Sequence, residues 1–253
     1  MPTDARQATI ALFTDFGHGG PYVGQLHAVL AREAAGTPVI DLMHDAPRCD
    51  PRPAAHLLAA LAPWFPAGTI FVAVVDPGVG TRRRPLVVEA DGRWFVGPDN
   101  GLLDVVSARA EGVRWWCIDQ APASDSATFH GRDLFAPVAA AIARGESVPG
   151  HAVEPEFAPG TDADLAEVIY IDEFGNAMTG LRGRPDAPGG LAIAGTALAA
   201  ARTFADAAPG EGLWLVNSIG LVEIAVNGGS AARRLSLAIG SPVAPQGQPG
   251  KHA

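Results

Sequence analysis

Apolar residues in the first half of the chain come in short, mostly apolar and β-branched runs, at residues 9–13, 38–42, 69–75 and 86–90, and Gly, Pro or Asp bounds each one. Continuous runs of this length predict strands covered on both faces. Between them the period changes to that of a helix. Residues 21–32 begin with Pro21 at a first helical position and carry Val23, Leu26, Val29 and Leu30 at helical spacing. Asp50 is placed to cap a second helix, which opens with Pro51 and runs through Leu57, Leu58 and Leu61. A third is expected over residues 133–144, with Pro137 near its first turn and Gly145 at its end. Alternation of strand and helix implies crossover connections and a mainly parallel sheet.

The pattern then changes. From about residue 148 to 165 the composition turns to Pro, Gly, Ala and acids, which predicts a linker at 156–165 after an α/β domain at 1–155. Beyond it, strand-like pieces at 167–171, 191–193, 213–216 and 221–226 are separated by Gly-rich turns, so residues 166–244 predict a small antiparallel β domain. The tail, 245–253, is expected to be disordered.

Composition narrows the partners. With 253 residues, 48% of them hydrophobic, and a mean hydropathy of +0.16, the chain can bury a real core. A net charge of −9 opposes non-specific attraction to nucleic-acid phosphates or anionic lipid, and the basic cluster of Arg82, Arg83 and Arg84 is too short to reverse that. Residues 1–7 lack the apolar run of a signal peptide, and the Ala-rich stretches are too interrupted to span a bilayer, which predicts a cytoplasmic protein. Cys49 and Cys117 have neither metal nor disulfide spacing, so both are expected to be buried apolar residues.

Candidate chemistry gathers after the strands, where the loops of an open α/β sheet meet in a crevice. These segments are Thr14-Asp15-Phe16-Gly17, His44-Asp45 and Asp76-Pro77-Gly78-Val79-Gly80. The last fails as a phosphate loop, lacking the Lys-Ser/Thr ending and the third Gly of the dinucleotide fingerprint. By itself it reads as a tight Asp-Pro-Gly turn. His130, in Phe129-His130-Gly131-Arg132-Asp133, is placed just before a helix whose free N–H groups favour anions or a polarised water. His18, His27, His44, His56, His151 and His252 have no comparable setting.

Asp15, Asp76, His130 and Asp133 could instead assemble a metal site for a metal-dependent nucleoside or phosphoester hydrolase. Against it, no two of them form an i, i+4 ligand pair, and the arginine cluster would put cations beside the ion. In the second domain, Asn176 offers the donor and acceptor that an adenine edge requires, and Phe174 a ring to stack on it; Asn217-Ser218-Ile219-Gly220 is a second polar segment. Turn formation accounts for these residues equally well.

Taken with Gly97-Pro98-Asp99-Asn100-Gly101 and Glu223-Ile224-Ala225-Val226-Asn227, these motifs resemble the S-adenosyl-L-methionine (SAM) hydroxide adenosyltransferase family. These adenosine-forming SAM hydrolases are relatives of the fluorinating and chlorinating SAM enzymes. The resemblance runs over residues 10–243, with the motifs in the family's order. It implies an N-terminal α/β domain, a smaller C-terminal antiparallel β-barrel, and a homotrimer with each active site between subunits. The implied reaction is in-line attack of water on C5′ of SAM, releasing adenosine and methionine without a cofactor. Asp76, Arg83 and His130 match the water-handling trio, Asp15 the ribose ligand, Phe174 and Asn176 the adenine contacts, and Asp172 and Ser218 the methionine end. Phe129, Gly131 and Asn227 join the substrate contacts.

Departures from the family pattern carry expectations of their own. Where the halogenating relatives have halide-binding hydroxyls, this chain has Asp76, Val79, His130 and Gly131, which predicts no halogenation. Gly20 stands where an acid would hold the methionine ammonium, and Cys49 where an aromatic covers the nucleoside. Weaker methionine recognition, or a different 5′-substituted adenosine, is the corresponding expectation. A non-catalytic adenosine or SAM-binding protein is the remaining alternative, opposed by the intact trio.

Overall fold

The computed structural model describes residues 8–119, 126–183 and 190–246, which fall into two compact units at 1–162 and 163–253. The N-terminal segment expected to carry no signal peptide, 1–7, lies outside the described residues. Among those described, no helix is long and apolar enough to cross a membrane.

The first unit runs β1 (Thr9–Thr14), α1 (Tyr22–Glu33), β2 (Val39–Met43), α2 (Pro51–Leu61), β3 (Thr69–Val74), β4 (Pro85–Ala90), β5 (Arg93–Pro98), α3 (Asp104–Ala108), β6 (Val113–Ile118), α4 (Ala136–Ala143) and β7 (Gly150–Val153). Its sheet has the order β2-β1-β3-β5-β4-β6-β7. The β2–β1, β1–β3 and β3–β5 ladders are parallel, whereas β5–β4, β4–β6 and β6–β7 are antiparallel. The sheet is therefore mixed, and the expected parallel character stops at β5. The cause is the Asp91-Gly92 turn between β4 and β5, with φ of 48° and 73°. Two residues with positive φ close a hairpin and cannot form a crossover.

Side chains alternate across this sheet. Ile10, Leu12, Ile70, Val72, Val74, Val87 and Val96 share a core with Leu26 and Leu30 of α1 and Val138 of α4. Phe13, Phe71 and Phe95, at the alternate positions, are fully buried, and Phe71 stacks on Phe95 at 4.8 Å. Each buried ring contributes roughly 2–3 kcal/mol. β1 lies between β2 and β3, and the crossovers through α1 (β1 to β2) and α2 (β2 to β3) run in opposite directions along the sheet, which opens a crevice at the carboxyl ends of β1 and β3. Asp15 and Asp76 follow those two ends.

The helix expected over 133–144 begins differently. Gly131–Phe135 forms a π-helical turn, with the Ala136 N–H donating to the Gly131 carbonyl, and α4 then runs to Ala143. Pro137 fits at the second residue of α4, where a missing N–H is tolerated.

A titration in this unit can be tested. Burial, and secondarily the charge of Asp99, push the Asp104 carboxyl up to about 6. The neutral form is thus favoured in the fold: the group's stabilising contribution is complete below its ordinary value of 3.8 and is lost as pH rises through about 6. Asp104→Asn should raise unfolding stability at about pH 7.5 by roughly 1 kcal/mol, after discounting the shift for partial exposure, and the gain should fade near pH 4. Equal denaturation midpoints for both proteins at the higher pH would contradict this.

The second unit contains β8 (Leu165–Ile171), β9 (Ala177–Arg182), β10 (Gly190–Ile193), β11 (Thr196–Ala200), β12 (Gly212–Val216), β13 (Leu221–Val226), α5 (Ala231–Arg234) and β14 (Val243–Gln246). The order is β14-β10-β11-β12-β13-β9-β8. The two edges approach each other: the Val168 N–H donates to Ser241 O at 2.9 Å and the Gly240 N–H to Val168 O at 2.8 Å, so the sheet nearly closes into a barrel. One ladder departs from the expected antiparallel pairing. β11 and β12 are parallel, with Ala200 opposite Trp214, and the segment 201–211 is long enough to return the chain. The expected disordered tail also begins too early, because Pro245 and Gln246 pair with Leu191 and Gly190 of β10. Residues 247–253 lie outside the described residues.

Candidate active site

Asp76 follows β3 and opens a succession of tight turns. The Val79 N–H donates to Asp76 O at 3.3 Å and the Thr81 N–H to Gly78 O at 3.1 Å, while the Thr81 hydroxyl donates to Gly78 O at 2.7 Å. Gly80 has φ +78°, and a Cβ there would stand 2.7 Å from Ala127 O, so the residue must be glycine on both counts. These turns fold the chain back until Arg83 meets Asp76. Its Nε donates to Oδ1 and Oδ2 at 2.9 and 3.0 Å, and Nη2 donates to Oδ2 at 2.5 Å. The pair is nearly dry, with side-chain exposures of 8% and 4%, and the guanidinium lies over the Phe135 ring at 5.3 Å. Its neighbour Arg84 turns away to Asp99, while the Asn100 side-chain amide donates to Val75 O at 2.9 Å and braces the loop.

His130 completes the group from just before the π-helical turn. Its Nδ1 is 2.8 Å from Arg83 Nη2. A guanidinium only donates, so this nitrogen accepts, and the neutral ring carries its proton on Nε2. Burial first, and then the positive charge of Arg83, lower the His130 pKa and favour that neutral form. Asp76, Arg83 and His130 thus form one hydrogen-bonded unit of fixed polarity: a carboxylate at one end, a cation in the middle and an Nε2–H donor at the other.

Asp15, after β1, accepts the Cys49 N–H on Oδ2 at 2.8 Å. Phe129 is buried against Phe16 and Tyr22, at centroid distances of 5.6 and 5.3 Å, and a Cβ on Gly131 would touch the Phe129 and Phe16 rings at 3.3 Å. The two residues shape the aromatic wall beside His130. The rival metal site does not assemble. Asp76 and His130 are both engaged with Arg83, Asp133 accepts from Arg132, and among the described residues no three His, Cys, Asp or Glu side chains converge as ligands. Nor are the cysteines the buried apolar residues expected: Cys49 is exposed in a tight left-handed bend, φ 54°, and Cys117 is half-buried on β6.

The second unit holds a cavity of about 920 Å³, lined by Asp172, Phe174, Asn176, Ser218 and Glu223 among others. Asp172 accepts the Asn176 backbone N–H at 2.8 Å and its side-chain amide at 3.0 Å, so it aims Asn176. Phe174 is 81% exposed, and Phe204, 44% exposed, lines the same space, so two rings are available to a planar ligand. Asn227 does not line the cavity; its side chain donates to Ala207 O at 2.8 Å and ties down the segment before β12.

Two residues of this cavity, Phe204 and Glu223, are not among the site residues that the sequence predicts. Phe204 sits in a single short helical turn, Phe204–Asp206, too brief for a periodic signal. Glu223 did leave one, a single carboxylate inside the otherwise apolar strand Leu221–Val226, where only a partner or a ligand offsets burial. It is 5% exposed and accepts the Asn217 side-chain amide at 3.0 Å. Burial raises its pKa, the Asn217 hydrogen bond opposes this, and the Asp172 charge adds to the rise. Two neighbouring carboxylates in a cavity favour a cationic guest.

A family model described as the SAM hydroxide adenosyltransferase N-terminal domain matches residues 10–151, and the model of the corresponding C-terminal domain matches residues 166–244. A curated (R)-S-adenosyl-L-methionine hydrolase from Salinispora arenicola is 44% identical over 248 residues, covering 91% of this chain and 95% of that protein. A fluorinase from Actinopolyspora mzabensis is 26% identical, with coverage of 92% and 95%. The crystal structure of an uncharacterized conserved protein from Thermotoga maritima superposes with a TM-score of 0.82 at 31% identity, covering 93% of this chain and 98% of that one.

Proposed function

The chain belongs to the SAM hydroxide adenosyltransferase family, and from that premise we propose that it hydrolyses S-adenosyl-L-methionine, in the (R) configuration at sulfur, to adenosine and L-methionine. The observation that carries this reading is the dry Asp76–Arg83–His130 unit at the β3 carboxyl end.

The sulfonium is already a good leaving group. Catalysis therefore consists of holding a water in line with the C5′–S bond and removing its proton. As the new O–C5′ bond forms, the C5′–S electron pair returns to sulfur, which leaves as the neutral thioether of methionine. The proton goes to Asp76, the group in the unit with basic lone pairs to spare. His130 donates from Nε2 and orients the oxygen, because its Nδ1 is engaged by Arg83. Arg83 orients Asp76 and stabilises the developing hydroxide.

The cavity of the second unit suits the rest of the molecule. Phe174 and Phe204 flank the adenine and Asn176 reads its edge, while Asp15, at the β1 carboxyl end of the first unit, is the ligand for the ribose hydroxyls. Glu223 supplies the carboxylate for the methionine ammonium that Gly20 cannot, with Ser218 beside it in the cavity lining. We place the complete site between subunits of a homotrimer, and the enzyme in the cytoplasm without a resident cofactor.

The test is incubation with SAM in 18O-water. Label is expected in the adenosine 5′-hydroxyl, with activity unchanged by a chelator and no 5′-halo product on adding chloride or fluoride. Unlabelled adenosine would refute water attack, and chelator sensitivity would favour the metal-dependent hydrolase. Sedimentation should give three chains per particle.

A further inference from the structure

Charge in the cavity of the second unit is divided. Asp172 and Glu223 are partly and fully buried, whereas two exposed guanidiniums, those of Arg202 and Arg233, belong to the same lining. Among the described residues neither guanidinium makes a hydrogen bond or an ion pair. This arrangement fits a ligand with a cation held low and an anion held high, which is the polarity of an α-amino acid zwitterion.

We propose that Arg202 is the anchor for the α-carboxylate of the methionine arm, opposite Glu223, which takes the ammonium. The proposal rests on the assignment of SAM as substrate and adds to it a specificity-determining residue. Register favours Arg202 over Arg233. β11 runs parallel to β12 with Ala200 beside Trp214, and Leu215 pairs with Glu223 across to β13. Arg202 therefore emerges at the strand end about two strand spacings from Glu223, roughly 10 Å, a gap that a long Arg side chain and a bound amino acid together can span.

The backbone at Arg202 is also fixed. Asp206 Oδ2 accepts the N–H groups of Arg202 and Thr203 at 2.8 and 3.0 Å, and Thr203 and Asp206 cap the short helical turn Phe204–Asp206 reciprocally. One folded segment thus presents the arginine and the Phe204 ring to the same cavity. Arg233 lines this cavity too, and also borders a second cavity of about 460 Å³ with Arg234, to which Arg202 does not belong.

The test compares SAM with decarboxylated SAM, which keeps the sulfonium and the ammonium and lacks only the carboxylate. Dissociation constants are measured by calorimetry in an Asp76→Asn background, where turnover does not interfere, for the parent, Arg202→Gln, Arg202→Lys and Arg233→Gln. The parent should prefer SAM. In Arg202→Gln that preference should shrink by about 10- to 100-fold, the loss expected for one charge-assisted hydrogen-bonded pair, with Arg202→Lys in between. Equal weakening of both ligands, an unchanged preference, or a collapse in Arg233→Gln instead would overturn the proposal. Failure of the hydrolysis reading is separable from this, since it shows as absence of adenosine from the wild-type enzyme whatever the ratio of binding constants. Arg202 is exposed, so the substitutions leave the core intact, which a thermal melt verifies.

Discussion

Asp76→Asn should lower kcat for SAM by about 10²- to 10⁴-fold while KM changes only a few-fold, because the amide keeps the shape of the carboxylate and loses its basicity. Asn still offers one oxygen to Arg83, so the fold should survive, as a melt would show. His130→Asn should be milder. Its amide oxygen can stand near the Nδ1 position and keep accepting from Arg83, while only the Nε2–H donor is lost. Single-turnover rates for the two variants decide the assignment. If Asp76→Asn stays within about tenfold of wild type, or if His130→Asn is the more severe, the proton acceptor is not Asp76.

Gly97→Ala should be strongly damaging although it lies outside the site. Gly97 lies on β5, and a Cβ there would stand 2.4 Å from Ala73 O on the adjacent strand β3. A carbonyl held in a parallel ladder cannot yield without shifting the strand, and Ala73 is only three residues before Asp76. Stability should fall by about 3 kcal/mol, or roughly 6–12 °C in Tm, with activity falling as the Asp76 loop moves. Gly112→Ala, where nothing lies within 4 Å, is the matched control and should be neutral. A Gly97→Ala denaturation midpoint equal to that control would show that the two strands are not in such close contact.

Several parts of this architecture were legible before any coordinates. Apolar runs marked β1, β2, β3 and β4, and Asp50 capped α2 through Oδ1, as its position suggested. The π-helical turn at Gly131 was not legible, since the residues that form it would equally suit an ordinary first helical turn. The reversal at β4 had left a trace. Asp91-Gly92 is a strong hairpin signal, and this turn, rather than the apolar run before it, sets the direction of β5. The parallel β11–β12 pair left none, because β11, Thr196–Ala200, is mostly exposed and lacks a buried stripe.

For the candidate site, the sequence by itself put Asp15, Asp76, His130, Phe174 and Asn176 in loops at strand ends or between strands, and only the family resemblance joined them with Arg83 as candidates for one site. Local order decides this much, because periodicity and turn residues fix where strands stop. Only the tertiary structure decided what each group can do. Arg83 reaches Asp76 and His130 at once, and that single cation fixes the imidazole tautomer, so the choice of base depends on a contact 47 residues apart. Asp172 turns to Asn176, and Glu223 becomes a buried carboxyl wall of the cavity, because hydrogen-bond direction and burial are properties of the packed chain. A protonation state follows from distances and local dielectric, and neither exists until the strands have come together.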